Sequence, residues 1–429
     1  MNEIKENEDD SIISVSFNQD NSCFSIGTEN GFKIFQTYPF KGPYERIMNG
    51  GIGTVEMLYK SNFLALLGGG NSPKFHNNKV VIWDDYEKKV ISELKFITPI
   101  INIKLKLDLI FVICQKRIFI FDFNSYDMIE AIDTCDNKRG LIAINSDPDF
   151  TVIAFPSLNK TCGIKNFKTK YKKTFSVNDN ISYMTINKEG KVLATANDKG
   201  TLIRIHSCID GTILKEFKRG MDKVDYIYIC FDNETKFMAV SSNKGTIHIF
   251  SMVATMKKLK EIEKLKEKKE NLNKKDIEKV KENDINSINK KKEKDKNDEK
   301  EDKKEDQKEE NVKEEEKKEE KEEVGKINET KSVKNDNKNM TSINENKINE
   351  LPENIKTFFG SEKSFAKFRI KSQIKNICTF FGNNLLIVIT YDNKYYKAEI
   401  NINKGGSCTL LEEKDLKKKL SNYCGDESD

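Results

Sequence analysis

The sequence predicts an all-β fold: a seven-bladed, WD-repeat-like β-propeller with a long disordered insert in its sixth blade. Three observations support this prediction. Short apolar runs alternate with polar turns along most of the chain. One such unit recurs at the spacing of a propeller blade, about 40–50 residues. A single internal segment is dense in charge and lacks aromatic residues.

The strands are predicted from short runs of apolar and β-branched residues. Residues 12–17, 63–67, 109–113 and 385–390 are such runs, and polar clusters such as residues 18–21 separate them. Runs of this length bounded by turn residues are typical of strands. Outside the insert no long helical pattern occurs, so the fold class is all-β.

The blades are predicted from a unit that ends in a strand with a ring side chain. Six such ends precede the insert, at Phe35, Trp83, Phe121, Phe167, His206 and Phe250. Their spacings are 48, 38, 46, 39 and 44 residues, as in propeller repeats. A seventh unit follows at residues 374–402. A pair of sheets in a β-sandwich is the alternative, and the regular spacing favours the propeller.

The insert divides the chain. Residues 261–350 contain 26 Lys, 29 Asp and Glu and no aromatic residue, too little apolar surface to offset the entropy of folding. We therefore expect residues 11–252 to form the propeller up to part of blade six, residues 253–362 to form a charged low-complexity loop within that blade, and residues 363–429 to complete blades six and seven.

The beginning of the insert has weak helical spacing. Leu259, Ile262 and Leu265 lie at helical intervals within residues 256–281. Because sustained heptads are lacking, we expect a solvated charged tract with transient helix, and a short coiled coil is the alternative.

Composition and motifs exclude several classes of protein. No run of 18 apolar residues predicts a transmembrane helix, and the polar N-terminus does not resemble a secretory signal. The nine cysteines include no C-x-x-C pair, which indicates free thiols in a reducing compartment. With three histidines and no catalytic or metal-binding motif, we expect neither an enzyme nor a cofactor or metal.

The most informative segment is residues 217–220, between the fifth and sixth units. If this segment is extended, Lys218 and Arg219 point to opposite sides. Each could then reach a different pocket.

Each neighbouring unit offers a polar set beside this segment. The fifth has residues 197–201 followed by Arg204, and the sixth has residues 241–246 followed by His248. Converging hydroxyls and cations suit a multiply phosphorylated head group. The alternative is that they are ordinary turn residues and solvated cations.

Several segments together form a recognisable pattern. They are residues 16–20 with 27–32, residues 67–70 with 78–84, the Lys-Gly-Thr turns at 199–201 and 244–246, Phe217-Lys218-Arg219-Gly220, and residues 364–366. Nearly the whole chain apart from the insert thus resembles the PROPPIN family, seven-bladed propellers that bind phosphoinositides and are called WIPI proteins in animals. The segment 217–220 is similar to the F/L-R-R-G signature of that family.

The resemblance implies two sites for phosphatidylinositol 3-phosphate and phosphatidylinositol 3,5-bisphosphate. The first would use Lys218 with Lys199, Thr201 and Arg204. The second would use Arg219 with Ser241, Ser242, Thr246 and His248.

Two departures from the family pattern fall in the first site. Lys218 replaces the first arginine of the signature, and a lysine cannot make the bidentate fork to phosphate. Asn178 stands where the family often has histidine. We therefore expect the second site to be the stronger one.

The resemblance also implies a membrane anchor in the long loop of blade six. The apolar cluster with Leu351, Phe358 and Phe359 is the candidate, because such residues beside lysines suit the membrane interface. The alternative is a packed end of the loop.

The predicted function is that of a peripheral membrane effector. It would be a cytoplasmic monomer that binds phosphoinositide-containing membranes, whether preautophagosomal, endosomal, vacuolar or those of an endosymbiotic organelle. Family resemblance implies an autophagy lipid-transfer protein as a partner, docked on the loops of blade two. A WD-repeat scaffold that binds only proteins is the alternative. A nucleic-acid binder is disfavoured, because no basic run with interleaved aromatics tracks a groove.

Overall fold

The chain folds into seven blades, as predicted from its repeats; six of them have four strands, and blade six has a short fifth strand. The structure is a computed structural model that describes residues 11–177, 180–268, 364–382 and 384–417. The four main strands of each blade pair with their neighbours in an antiparallel manner, and the first strands of blades one to three and of blades four to seven pack side by side.

The first three blades use consecutive strands. Their bounds are β1 (Ile12–Phe17), β2 (Cys23–Thr28), β3 (Gly31–Gln36) and β4 (Lys41–Ile47); β5 (Ile52–Met57), β6 (Phe63–Gly68), β7 (Lys79–Asp84) and β8 (Lys89–Lys95); β9 (Ile100–Lys106), β10 (Leu109–Cys114), β11 (Arg117–Asp122) and β12 (Met128–Asp133).

Blades four and five follow the same plan. Their bounds are β13 (Ala143–Ile144), β14 (Val152–Ser157), β15 (Thr161–Asn166) and β16 (Lys172–Ser176); β17 (Ile181–Ile186), β18 (Val192–Asn197), β19 (Leu202–Ser207) and β20 (Ile213–Lys218).

Blade six is completed by residues from beyond the insert. It contains β21 (Ile227–Phe231), β22 (Phe237–Ser242) and β23 (Thr246–Ser251), and then β24 (Ala366–Arg369) and the short parallel β28 (Gly406–Ser407). Blade seven contains β25 (Asn376–Phe381), β26 (Leu385–Thr390), β27 (Lys394–Glu399) and β29 (Thr409–Asp415).

The core lies between blades, because each sheet buries both faces against its neighbours. Ile247 and Phe368 of blade six, for example, pack with Val388 of blade seven. The ring closes where Phe24 of blade one packs in one cluster with Tyr395 of blade seven. This double burial explains why the inner strands read as short continuous apolar runs. Trp83 is also buried in such a cluster.

The beginning of the predicted insert differs from our expectation. Residues 253–268 form a helix, α1, in place of a transiently helical tract. Within the propeller unit, Thr255 and Leu259 lie one turn apart and are each 1% exposed, so packing stabilises a segment whose apolar spacing is weak. Lys258 donates through Nζ to the carbonyl oxygens of Ile213 and Leu214 on β20.

Candidate functional site

The candidate site is built around the end of β20. Lys218 is the last residue of this strand and is exposed, whereas Arg219 is 7% exposed. The structure therefore separates the two cations: one lies on an open strand face and the other enters the space between blades five and six.

We call the space between blades five and six the second cleft. The ring of Phe217 on β20 lies 4.9 Å from that of Phe250 on β23, and these two rings form its floor. The wall on the side of blade six carries Thr246 and His248, which are two residues apart on β23 and share one face.

Arg219 spans the second cleft. Its Nε donates to the carbonyl oxygen of Gly200 at 2.6 Å, and a terminal nitrogen donates to the carbonyl oxygen of Asp222 at 2.6 Å. The other terminal nitrogen lies 3.5 Å from Oγ of Ser242. These contacts use three of the five N–H groups of the guanidinium. Arg219 is thus fixed in place, and two donors remain for an anion.

Strand β24 adds two cations that the sequence analysis did not assign to the site. Lys367 pairs with His248 and Arg369 pairs with Thr246, and both cations are exposed. Directly opposed residues in an antiparallel pair share a face. The alternation of polar and apolar residues in 364–370 is the sequence signal that could have put Lys367 and Arg369 on one face of this strand.

His248 is uncharged near neutral pH. Burial lowers its pKa from 6.5 to about 4, and the positive charges of Lys367, Arg219 and Arg369 act in the same direction. Its Nδ1 lies 3.4 Å from Oγ of Ser364. Three cations thus lie close enough to His248 to disfavour its protonated form.

Ser241 is separate from the other residues predicted for the second cleft. It is fully buried, and its Oγ donates to the carbonyl oxygen of Asn376 in blade seven at 3.3 Å. Neighbouring residues of a strand face opposite sides. The structure therefore brings Ser242 to Arg219 and directs Ser241 towards blade seven.

The space between blades four and five is the first cleft. Arg204 lies on β19 two residues before His206, whose ring is 5.1 Å from the ring of Phe175 in blade four. Nε of Arg204 donates to Oε1 of Glu216 on β20 at 2.6 Å. The sequence analysis missed this carboxylate, which places negative charge in the first cleft beside Arg204.

The remaining residues predicted for the first cleft lie at its rim. Lys218 on β20 pairs with Leu202 on β19. This pair lies two residues from the pair of Arg204 with Glu216 on the same strands. Thr201 is half-buried, and its backbone amide donates to Oδ1 of Asn197 at 3.0 Å. Lys199 is exposed, and its carbonyl oxygen accepts from the amide of Val224 at 3.1 Å.

Some predicted residues lie outside the described part of the chain. They are Leu351, Phe358 and Phe359 of the predicted membrane anchor, and Asn178 of the first site. In the described ranges, no helix has both the length and the apolar composition needed to cross a bilayer.

Comparison with known proteins identifies similar sequences. A family model described as PROPPIN matches residues 11–263. The chain is 33% identical over 250 residues to "Autophagy-related protein 18e" of Arabidopsis thaliana, covering 56% of this chain and 66% of the relative. It is 36% identical over 283 residues to "SVP1-like protein 2" of Saccharomyces cerevisiae, covering 57% and 63%. The matched part thus spans just under two thirds of the length of these relatives.

Solved structures show the same fold. "Kluyveromyces lactis Hsv2 complete loop 6CD" aligns with a TM-score of 0.61 and 19% identity, covering 95% of this chain and 99% of the other. "Complex of KlAtg21 with coiled-coil of AgAtg16" aligns with a TM-score of 0.60 and 17% identity, covering 95% and 99%. At this level of identity the alignments support the propeller fold alone.

Proposed function

Because the chain belongs to the PROPPIN family, we propose that it is a phosphoinositide-binding peripheral membrane effector. Its ligands would be phosphatidylinositol 3-phosphate and phosphatidylinositol 3,5-bisphosphate, and the protein would recruit autophagy or membrane-trafficking partners. The observation that supports this most strongly is the second cleft, where Arg219, Lys367 and Arg369 surround the uncharged His248.

The chemistry of the second cleft suits a phosphorylated inositol. Arginine N–H groups and a lysine ammonium form short, charge-assisted hydrogen bonds with phosphate oxygens. The Ser242 and Thr246 hydroxyls and the His248 ring can donate to or accept from inositol hydroxyls. The buried floor of Phe217 and Phe250 keeps Arg219 partly out of water, which strengthens its attraction for an anion.

The first cleft would be the weaker site. Its Arg204 is paired with Glu216, and Lys218 presents a point charge. Two sites on one rigid body nevertheless act together on a membrane, because the second contact is intramolecular once the first has formed. We propose that the second cleft provides most of the affinity and that the first adds avidity.

The partners are proposed by analogy. One solved structure with the same fold is a complex of Atg21 with the coiled coil of Atg16, so a coiled-coil autophagy protein is one class of partner for this chain. A lipid-transfer protein on the blade-two loops is the second class. Both would be delivered to phosphoinositide-marked membranes by a cytoplasmic monomer.

Liposome flotation tests the proposal. Vesicles of phosphatidylcholine with a few per cent of phosphatidylinositol 3-phosphate or the 3,5-bisphosphate should carry the full chain to the top of the gradient. Vesicles with phosphatidylinositol 4-phosphate at equal charge should carry much less. A chain that floats with neither 3-phosphorylated lipid would favour the alternative, a scaffold that binds only proteins.

A further inference from the structure

The loop that follows Arg219 presents an exposed apolar side chain between the two clefts. Met221 is 96% exposed. Single exposed apolar residues are common on proteins, so exposure alone indicates nothing. The position of Met221 is the informative feature, because residues 219–226 connect blade five to blade six at the point where Lys218 and Arg219 separate.

The protein holds this loop in shape at both ends. The amide of Arg219 donates to the carbonyl oxygen of Thr201, and the amide of Val224 donates to that of Lys199. The guanidinium of Arg219 donates to the carbonyl oxygen of Asp222 from inside the cleft. Met221 lies between these anchors, so its exposure follows from a fixed backbone.

The surroundings of Met221 are basic. Lys199, Lys218, Lys223 and Lys244 are all exposed in the strand ends and turns that meet at this loop. Of the nearby carboxylates, Asp198 is paired with Arg139 at 3.3 Å, Asp222 is adjacent to Met221, and Asp225 is exposed in the same connection. The cations outnumber these carboxylates, and basic residues near a bilayer are attracted to its negative surface.

Gly220 leaves space in front of the loop. A Cβ atom at this position would meet no atom within 4 Å, and its φ is not in the left-handed region. Nothing in the described fold therefore requires a glycine here. Without a side chain at Gly220, a flat surface can approach Met221 closely.

We propose that the loop of residues 220–223 is a membrane contact in its own right, in which Met221 enters the interfacial region of the bilayer while head groups bind in the flanking clefts. This inference rests on the proposed function. An apolar tip within a basic surround is the arrangement by which proteins lie on a bilayer without spanning it.

Tryptophan fluorescence tests the position of Met221 directly. The chain has one tryptophan, Trp83, which is 9% exposed in blade two and gives a constant background. Met221→Trp should show a blue shift on vesicles with phosphatidylinositol 3-phosphate and quenching by lipids brominated near the head of the acyl chain. Ile97→Trp is the matched control, because Ile97 is fully exposed in the equivalent loop between blades two and three.

A second pair of variants measures the energetic contribution. Met221→Gln should weaken vesicle binding about tenfold, since the burial of an apolar side chain of this size supplies an effect of that order. Ile97→Gln should leave vesicle binding unchanged. Both should bind soluble inositol 1,3-bisphosphate like the unmodified chain.

The outcomes separate this inference from the proposed function. The membrane contact is disproved if Met221→Trp binds vesicles without a blue shift or quenching, or if Met221→Gln binds vesicles as tightly as the unmodified chain does. In either case the phosphoinositide site stands. If the unmodified chain binds no vesicles, the proposed function fails and the inference fails with it.

Discussion

The first and second clefts have the same backbone plan and different charges. On β19 and β20, Leu202 pairs with Lys218 and Arg204 pairs with Glu216. At the corresponding positions of β23 and β24, Thr246 pairs with Arg369 and His248 pairs with Lys367. Each cleft thus presents four side chains in the same arrangement. The carboxylate of Glu216 in the first cleft occupies the position that the ammonium of Lys367 occupies in the second.

The preceding blade enlarges the difference. In blades four, five and six, one residue directly follows the fourth strand, and its amide donates to the carbonyl oxygen of the residue just before the third strand. These residues are Val177, Arg219 and Ile370. The three positions are therefore equivalent. Blade five therefore sends Arg219 into the second cleft, whereas blade four sends the apolar Val177 towards the first. A repeated scaffold fixes where side chains meet, and the few substitutions at those positions set the charge of each cleft.

The largest effect is expected when Arg219 is removed. Arg219→Thr should abolish detectable vesicle binding or weaken it at least ~50-fold, because the fork is lost and the avidity between clefts is lost with it. It also leaves the carbonyl oxygens of Gly200 and Asp222 without their donor, which should lower the free energy of unfolding by about 1–3 kcal/mol. Flotation and urea denaturation measure the two effects.

Lys218→Thr is the matched variant in the first cleft. It should cost clearly less than Arg219→Thr in flotation, and the double variant should not bind. If Lys218→Thr were the more damaging change, the ranking of the clefts would be reversed.

Acidification should expose a second difference, because each cleft contains one histidine of low pKa. Burial lowers the pKa values of His206 and His248 from 6.5 to about 4. Between pH 6.5 and 4 the unfolded chain therefore binds more protons than the folded one. Stability is complete above about pH 6.5 and falls as the pH drops, by up to about 1.4 kcal/mol per pH unit for a fully shifted histidine.

Urea denaturation at about pH 5, 6, 7 and 8 checks this dependence. His206→Gln and His248→Gln should each remove a similar part of the slope, because burial lowers the pKa of both histidines to about 4. A bound soluble head group should reduce the contribution of His248 to the pH dependence of stability, because its negative charge stabilises protonated His248. If His206→Gln left the slope of stability against pH unchanged, the low pKa of His206 in the folded chain would be contradicted.

Changing the equivalent residues Glu216 and Lys367 tests whether charge alone separates the clefts. Lys367→Glu should weaken binding of soluble inositol 1,3-bisphosphate about tenfold, and Glu216→Gln should strengthen it about threefold by releasing Arg204. Glu93→Gln is the matched control, because Glu93 pairs with Lys79 across the third and fourth strands of blade two, as Glu216 pairs with Arg204 in blade five. Equal effects of Glu93→Gln and Glu216→Gln would show a general response to net charge.

Sequence reasoning predicted the blades well, because alternation and spacing are local properties. It could also place residues 364–370 in blade six, since the sixth unit lacked its last strand. It missed the contributions of Lys367 and Glu216 because their importance depends on register with His248 and Arg204, and the sequence alone does not give that register.

Other differences have equally physical causes. The position of Ser241 depends on which face of β22 meets blade seven, a choice that two adjacent serines do not reveal. The helix α1 depends on the burial of Thr255 and Leu259. Tertiary contact buries these two side chains, so the helix forms without a long apolar pattern in the sequence.

The smallest effect is expected for Lys218→Arg. A guanidinium can make the bidentate contact with phosphate that an ammonium cannot, but Glu216 lies two residues away on the same strand face and competes for the new fork. Affinity in the first cleft should therefore rise only about two- to threefold. Calorimetry with soluble inositol 1,3-bisphosphate in the Arg219→Thr background isolates this cleft, and Lys223→Arg, an exposed lysine of the next loop, is the control. If Lys218→Arg changes affinity no more than Lys223→Arg does, the lysine of the signature is not what weakens the first cleft, and the ion pair of Arg204 with Glu216 becomes the sufficient explanation.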